Sequence, residues 1–353
     1  MAPNVTVHNL MADVVPNIIE DVVNAIHKHN QILCISHINP DGDAYGSLLG
    51  MGWLLRQLGK RVTLSMHDRT PREFAHMPGI GNVISPHAVA DDYGLIICLD
   101  ASSMDRMGAV YREDVHRRIP LVVIDHHITN THFGNINWVA PECAATCQML
   151  VTLAAALDAP LTPQLSECLL TGLVTDTLGF RTSNTTPAVL EAAIQLMHGG
   201  ADLAAITQRM LSRHPFNTFR LWGLVLPTVQ LAEGVVWATI SRAQVEQVGK
   251  PGDDGQLSSM LITVEEADMS ATFTEKMDEA GNLTVECSFR ARRGFNVGAL
   301  ALELGGGGHP AASGCTMRGK LPDVAERVVA QLKAARQQQA SEVPALRPTQ
   351  GGA

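Results

Sequence analysis

Four short apolar runs constrain the first two hundred residues more tightly than any other feature: QILCIS (31–36), RVTLSM (61–66), LIICLD (95–100) and IPLVVID (119–125). Each has the length of a strand. They are interleaved with helical patterns, an opening one over 12–29 and DAYGSLLGMGWLLRQLG over 43–59, which ends on a glycine. Strands apolar on both sides need cover on both sides, so the pattern predicts a parallel sheet flanked by helices. In such sheets ligands bind beyond the carboxyl ends of the strands. Here the polar residues gather at those ends. His37 to Asp43 follow the first run, Asp100 closes the third, and Asp125 to His127 close the fourth.

From 142 to about 228 the pattern is mostly helical, with ECAATCQMLVTLAAALD and TPQLSECLLTGLVTDTLG the clearest helices. A second domain is expected near 229. VQLAEGVVWATIS reads as two short strands around a Glu-Gly turn. DMSATFTEKMDEAGNLTVECSFRAR reads as a hairpin with DEAGN at its tip. FNVGALALELGGGG reads as a short helix running into glycines, and a last helix spans 321 to about 336. The fold class is therefore α/β, a doubly wound parallel-sheet domain plus a smaller α/β C-terminal domain. The expected boundaries are 12–200, a helical linker over 201–228, 229–338, and a disordered tail over 339–353. A chain of 353 residues is long enough for two domains. Its 46% hydrophobic content with only 4% aromatics means that aliphatic side chains and Met must fill the core.

The formal net charge of −9 argues against a broad basic face for long nucleic acid and favours a small anionic ligand. No apolar run reaches the roughly 18 residues of a membrane span. The first thirty residues hold Asp13, Glu20 and Asp21 and no apolar signal region. A cytoplasmic location is expected, with the seven cysteines as reduced, buried thiols. Cys143 and Cys147 are spaced to share a helix face, but no matching pair elsewhere would complete a zinc site.

SHINPDGDAYGS (36–47) sets one imidazole and two carboxylates, His37, Asp41 and Asp43, just past a strand end. That oxygen and nitrogen set suits a hard or borderline divalent ion such as Mn²⁺. An Asp-Gly turn with Asp43 as a helix cap explains the same residues, Gly42 allowing the turn. Asp100 alone reads equally well as a strand-end cap. In IDHHITN (124–130), adjacent residues of an extended chain point opposite ways. One of His126 and His127 can then ligate while the other meets substrate, with Asp125 orienting a ligand; exposed loop histidines are the alternative. Asp176 lies in an apolar helical segment, where a buried carboxylate needs a partner and an exposed helix end does not. Gly305, Gly306, Gly307 and Gly308, then His309, would let backbone N–H groups approach a phosphate. Arg290 and Arg292 of SFRAR add the bidentate side chain suited to one.

Taken together these motifs resemble the DHH phosphoesterase family. His37-Ile-Asn-Pro-Asp41-Gly-Asp43 resembles its first motif, Asp100 its second, Asp125-His126-His127 its third, and Asp176 its fourth. GGGGHPAASG resembles the signature of the DHH-associated C-terminal domain, and the likeness spans roughly 15–335. The resemblance implies two metal ions, usually Mn²⁺, in an interdomain cleft. His37, Asp41 and Asp100 would hold one ion; Asp43, Asp100, His126 and Asp176 would hold the other. His127 and Asp125 are then the catalytic candidates, and Arg290, Arg292, Gly305–Gly308 and His309 grip substrate, with domain closure on binding. The compact layout resembles the nanoRNase/pAp phosphatase branch, which implies short RNA, dinucleotides such as pApA, or 3′-phosphoadenosine 5′-phosphate as substrate. A homodimer is plausible. Cyclic dinucleotide hydrolases look similar at this level. A non-catalytic nucleotide sensor is the reading from another class, and it should have lost a carboxylate; none is missing.

Overall fold

The computed structural model describes residues 16–249, 257–278 and 280–342. The chain forms two compact units that meet in sequence between Arg213 and His214. The run expected as a helical linker is thus divided between them.

The first unit opens with α1 (Pro16–Lys28). Its six strands are β1 (Gln31–Ile35), β2 (Arg61–Ser65), β3 (Val83–Ile84), β4 (Leu95–Leu99), β5 (Leu121–Asp125) and β6 (Ile136–Val139). All pair in parallel, in the order β3-β2-β1-β4-β5-β6. The chain winds outward from β1 in one direction and from β4 in the other. The doubly wound order expected from the sequence is therefore present, and its switch point lies between β1 and β4.

Side chains alternate across the strands as the pleat requires. Ile32, Cys34, Ile97, Leu99, Val122 and Ile124 face a core shared with α1, α2 (Gly42–Gln57), α4 (Thr146–Ala156), α5 (Pro163–Asp176) and α6 (Pro187–His198). Leu33, Ile35, Ile96, Cys98 and Val123 face the other side. The cover there differs from the long helices expected: it includes the 3₁₀ segment Met104–Val110, close to the short helix α3 (Glu113–His116). Helix α7 (Leu203–Thr207) and one π turn, Gln208–Ser212, end the unit.

Helices α2 and α5 pack unusually close. Gly42, Gly46 and Gly50 recur every fourth residue, on one face of α2. A Cβ on Gly42 would run into the Thr175 side chain. One on Gly46 would lie 2.6 Å from the Cys168 carbonyl oxygen, and one on Gly50 would lie 2.5 Å from Leu169 Cδ2. From α5, a Cβ on Gly172 would meet Cys147 Sγ and lie 2.7 Å from Asp43 Oδ1. The reason for Gly42 thus differs from the turn expected. It is the first residue of α2, and it is small because Thr175 approaches.

The second unit begins with α8 (Phe216–Val225) and carries a sheet in the order β11-β12-β10-β9-β8-β7. Its strands are β7 (Gln230–Ala232), β8 (Val235–Ile240), β9 (Met269–Met277), β10 (Leu283–Ala291), β11 (Gly307–His309) and β12 (Ala312–Arg318). The sheet is mixed, since only β8 and β9 run parallel. The Glu-Gly turn stands as read, with Glu233 at φ 52° and Gly234 at φ 73°. The β9–β10 hairpin is also as read. Helices α9 (Arg242–Gln247), α10 (Leu257–Leu261), α11 (Gly298–Glu303) and α12 (Leu321–Glu342) complete it. Val324, Val328 and Leu332 of α12 pack on Val285, Cys287 and Phe289 of β10. Helix α12 runs past the expected start of the tail, because AARQQQASE is rich in good helix formers. The rest of that tail, 343–353, lies outside the described residues.

The α2–α5 seam yields a direct test. Gly46→Ala should cost about 1–3 kcal/mol, the usual penalty of overpacking, because a backbone carbonyl cannot swing aside. Gly223→Ala, in α8 with nothing within 4 Å of the new methyl, should gain about 0.5–1 kcal/mol. Urea unfolding of each variant measures both; equal effects would contradict the close-packed seam.

Candidate metal centre

The candidate residues of the first unit converge at the carboxyl ends of β1, β4 and β5, around the switch point. His37 and Asp41 come from the loop after β1. Asp41 caps α2, its Oδ1 accepting from Asp43 N (3.1 Å) and Ala44 N (3.0 Å). The cap belongs to Asp41, not to Asp43 as its position before the helix suggested. Asp43 sits inside the first turn, fully buried. Its carboxylate accepts from two backbone N–H groups at the start of α4, Thr146 N to Oδ2 (2.6 Å) and Cys147 N to Oδ1 (3.0 Å).

Asp100 follows β4 in a left-handed conformation, φ 61°. A non-glycine residue held there costs on the order of 1–3 kcal/mol and persists only where its surroundings insist on it. Its two oxygens face different partners. Oδ2 lies 3.4 Å from His37 Nε2, and Oδ1 lies 3.5 Å from His126 Nε2. His126 Nε2 is also 3.8 Å from Asp43 Oδ2 and 3.3 Å from Asp176 Oδ2. His126 Nδ1 contacts the Cys143 carbonyl at 3.3 Å, so a proton there leaves Nε2 to the carboxylates.

His126 and His127 do not point to opposite sides. Their ring centroids are 4.6 Å apart, and His127 Nδ1 also comes within 3.7 Å of Asp100 Oδ1. β5 ends at Asp125, so strand alternation no longer governs the pair. His127 Nδ1 donates to Asp125 Oδ1 at 2.7 Å, while Asp125 Oδ2 accepts from Asn130 Nδ2 at 2.6 Å. Asn130 and Thr146 are contacts that the sequence reading passed over. Asn130 closes IDHHITN. Thr146 opens an apolar helix with only Ala145 at the cap position, a place where a polar residue has work to do.

Among the described residues of the first unit, three groups of donor atoms are each mutually within 4.8 Å: His37, Asp41 and Asp100; Asp43, His126 and Asp176; and Asp100, Asp125 and His127. Burial, reinforced by mutual repulsion, pushes the Asp43 and Asp100 carboxyls up to about 6 and Asp176 well above the carboxylate range. Burial disfavours charged His37, but Asp100 and then Asp41 overcome it and push the imidazole up to about 10. Burial likewise opposes charge on His127, but Asp125 and then Asp100 push it up to about 9. Buried, like-charged carboxylates with imidazole nitrogens and no thiolate among them form a donor set that fits a hard or borderline divalent cation.

Of the second-unit candidates, Arg290 donates from Nε to Ser259 Oγ (3.0 Å) and from Nη1 to the Phe289 carbonyl (2.8 Å). Arg292 donates to the carbonyls of Glu265 and Val264, at 2.9 and 2.8 Å. The glycines have a structural duty that sequence reading did not give them. Gly305, at φ 81°, ends α11: its N–H bonds to Leu302 O, and Gly306 N–H bonds to Ala301 O, a Schellman closure. Gly306 also lies flush against Gly314 and Cys315, with no room for a side chain. Gly307 to His309 form β11.

The charge pattern predicts a pH response. Asp43 and Asp100 hold their protons to about pH 6 in the fold but to about 3.9 when unfolded. The folded form therefore binds more protons between those values, and the stability of metal-free protein falls as pH rises through about 4 to 6. His37 and His127 act in the same direction, their contribution being lost as pH rises toward 9 and 10. A divalent ion needs the deprotonated forms, so Mn²⁺ should raise Tm more at pH 8 than at pH 5. Thermal unfolding with Mn²⁺ or chelator checks this; an equal effect at both pH values would refute it.

Comparison with known proteins places the site in context. Residues 31–173 match the DHH family, N-terminal domain, and residues 238–338 match the DHHA1 domain. The chain is 34% identical over 313 residues to the bifunctional oligoribonuclease and PAP phosphatase NrnA of Thermus thermophilus, covering 88% of this chain and 91% of that one. It is 25% identical to the protein of the same name from Bacillus subtilis, over 89% and 97% of the two chains. The solved structure of an exopolyphosphatase-related protein from Bacteroides fragilis shares the fold, with a TM-score of 0.83 at 22% identity, over 94% of this chain and all of that one. The chain belongs to the DHH family and carries its DHHA1 domain.

Proposed function

We propose that the chain is a two-metal phosphoesterase that hydrolyses short oligoribonucleotides (nanoRNA and dinucleotides such as pApA) and 3′-phosphoadenosine 5′-phosphate to mononucleotides. The observation that carries it is the buried Asp100, whose two oxygens face two different donor groups, with Asp41 at the exposed edge of one. The likeness to proteins named as oligoribonuclease and PAP phosphatase supports the substrate class.

In this reading His37, Asp41 and Asp100 would hold one ion, most readily Mn²⁺, and Asp43, Asp100, His126 and Asp176 would hold the other. When bound, such ions would supply an activated water and positive charge for phosphate oxygens. The chain's own residues do the rest. Asp125, fixed by Asn130, takes the Nδ1 proton of His127 as a hydrogen bond and turns Nε2 outward. Burial works against charge on His127, but Asp125 keeps the ring protonated at neutral pH. His127 then offers an N–H to a phosphate or leaving oxygen. Arg290, Gly307, Gly308 and His309 are the proposed phosphate contacts of the second unit. Arg292, Gly305 and Gly306 are already bonded within it and support them.

The test is Mn²⁺-dependent hydrolysis of pAp, pApA, a five-nucleotide RNA, cyclic di-AMP, pyrophosphate and long single-stranded DNA side by side. Turnover of pAp and the short linear RNAs alone is expected. A preference for cyclic di-AMP or pyrophosphate would overturn the substrate assignment, and no turnover by metal-loaded protein would leave a nucleotide sensor. Asp43→Ala and His126→Ala should abolish turnover with loss of bound metal. Full metal content in Asp43→Ala would refute its role as a ligand. Arg290→Ala should raise KM about tenfold, the loss of one charge-assisted hydrogen bond, with kcat little changed.

A further inference from the structure

We infer that Thr146 is a positioning residue that sets the two carboxylates on the His126 side of the metal centre; the inference rests on the metal-binding reading above. Thr146 is fully buried and is the first residue of α4. Its backbone N–H donates to Asp43 Oδ2 at 2.6 Å, and its hydroxyl donates to Asp100 Oδ1 at 3.0 Å. One residue thus ties together carboxylates that arrive from different strand ends, 46 and 103 positions away in sequence.

The oxygen it selects matters. Asp100 Oδ1 is the one facing His126, while Oδ2 faces His37. The hydroxyl fixes the rotation of a carboxylate whose backbone is already held left-handed, and so fixes which oxygen serves which donor group. Cys147 N–H completes the hold on Asp43 through Oδ1, and a helix N-terminus favours the negative charge placed there. Nothing else in the helix start uses the hydroxyl, since the cap position is Ala145 and makes no side-chain cap bond. Residues that orient metal ligands in this way typically change metal affinity by about 10–100-fold when altered.

Thr146→Val removes the hydroxyl and keeps the shape; Thr146→Ser keeps the hydroxyl. Titration of each full-length protein with Mn²⁺ by calorimetry, beside thermal unfolding in chelator, reads the effect. Wild type should bind two ions. Thr146→Val should weaken one of them at least tenfold and spare the other, with the chelated Tm close to that of wild type, and Thr146→Ser should restore both. Unchanged affinities in Thr146→Val, or equal weakening of both ions, would overturn the role. If the valine variant fails to fold, Thr146→Ala is read by the same criteria. Wild type that binds no Mn²⁺ would overturn the metal reading itself, and this role with it.

Discussion

Three carboxylates, the buried Asp43 and Asp100 and the partly buried Asp176, surround one imidazole nitrogen, and much of the first unit is arranged to make that tolerable. Burial first, and the charge of neighbouring carboxylates after it, raises the carboxyl pKa of all three. The fold does not relieve the repulsion by spreading them apart. It points the N-terminus of α4 at Asp43, gives Asp100 a hydroxyl, and leaves His126 Nε2 facing all three. The glycine seam of α2 and α5 lets the backbones close far enough to set Asp43, in the first turn of one helix, near Asp176, the last residue of the other. A methyl group at Gly172 would press on Asp43 itself.

What was legible in the sequence follows from this. Apolar strands that end in polar residues announce both the sheet and its ligand edge, because burial on two faces forbids charge until the strand stops. His37, Asp100 and His126 were readable for that reason. The helices α2 and α5 were readable from periodicity, but the closeness of their packing was not, because it depends on which glycines meet which atoms in three dimensions. Gly42 shows the difference: local reasoning offered a turn, and the structure uses its smallness. Thr146 and Asn130 escaped for a related reason. Their hydrogen bonds join segments distant in sequence, or close a loop whose geometry no pattern encodes. Strand alternation misjudged His126 and His127 because the strand ends one residue before them.

The glycine-rich segment of the second unit carries the opposite lesson. A run of glycines before a histidine invites a phosphate-loop reading, yet Gly305 and Gly306 are accounted for by the end of α11 and by the face of β12. Their N–H groups already have partners, which limits what they can offer to an anion. Arg292 is similar, with its guanidinium holding the carbonyls of Val264 and Glu265 in the turn after α10. Arg290 too is bonded within the unit, to Ser259 Oγ and the Phe289 carbonyl.

The candidate metal centre gathers groups held away from their ordinary states. Asp100 is held at a strained φ, the carboxylates hold protons they would lose in water, and His37 and His127 are charged where free imidazoles would not be. The strained backbone costs folding stability, whereas the raised carboxyl and imidazole pKa values contribute stability that is lost as pH rises through them. Asp125 stands apart from the rest. Burial would raise its carboxyl, but the His127 hydrogen bond and then Asn130 hold it below the usual range, so it stays ionised and its partner stays protonated. The site thus separates its carboxylates into two kinds. One kind is raised by burial and neighbouring charge, and the other is held ionised beside His127. That division follows from position: Asp125 is met at the strand end by His127 and Asn130, while Asp43, Asp100 and Asp176 share the single imidazole nitrogen of His126.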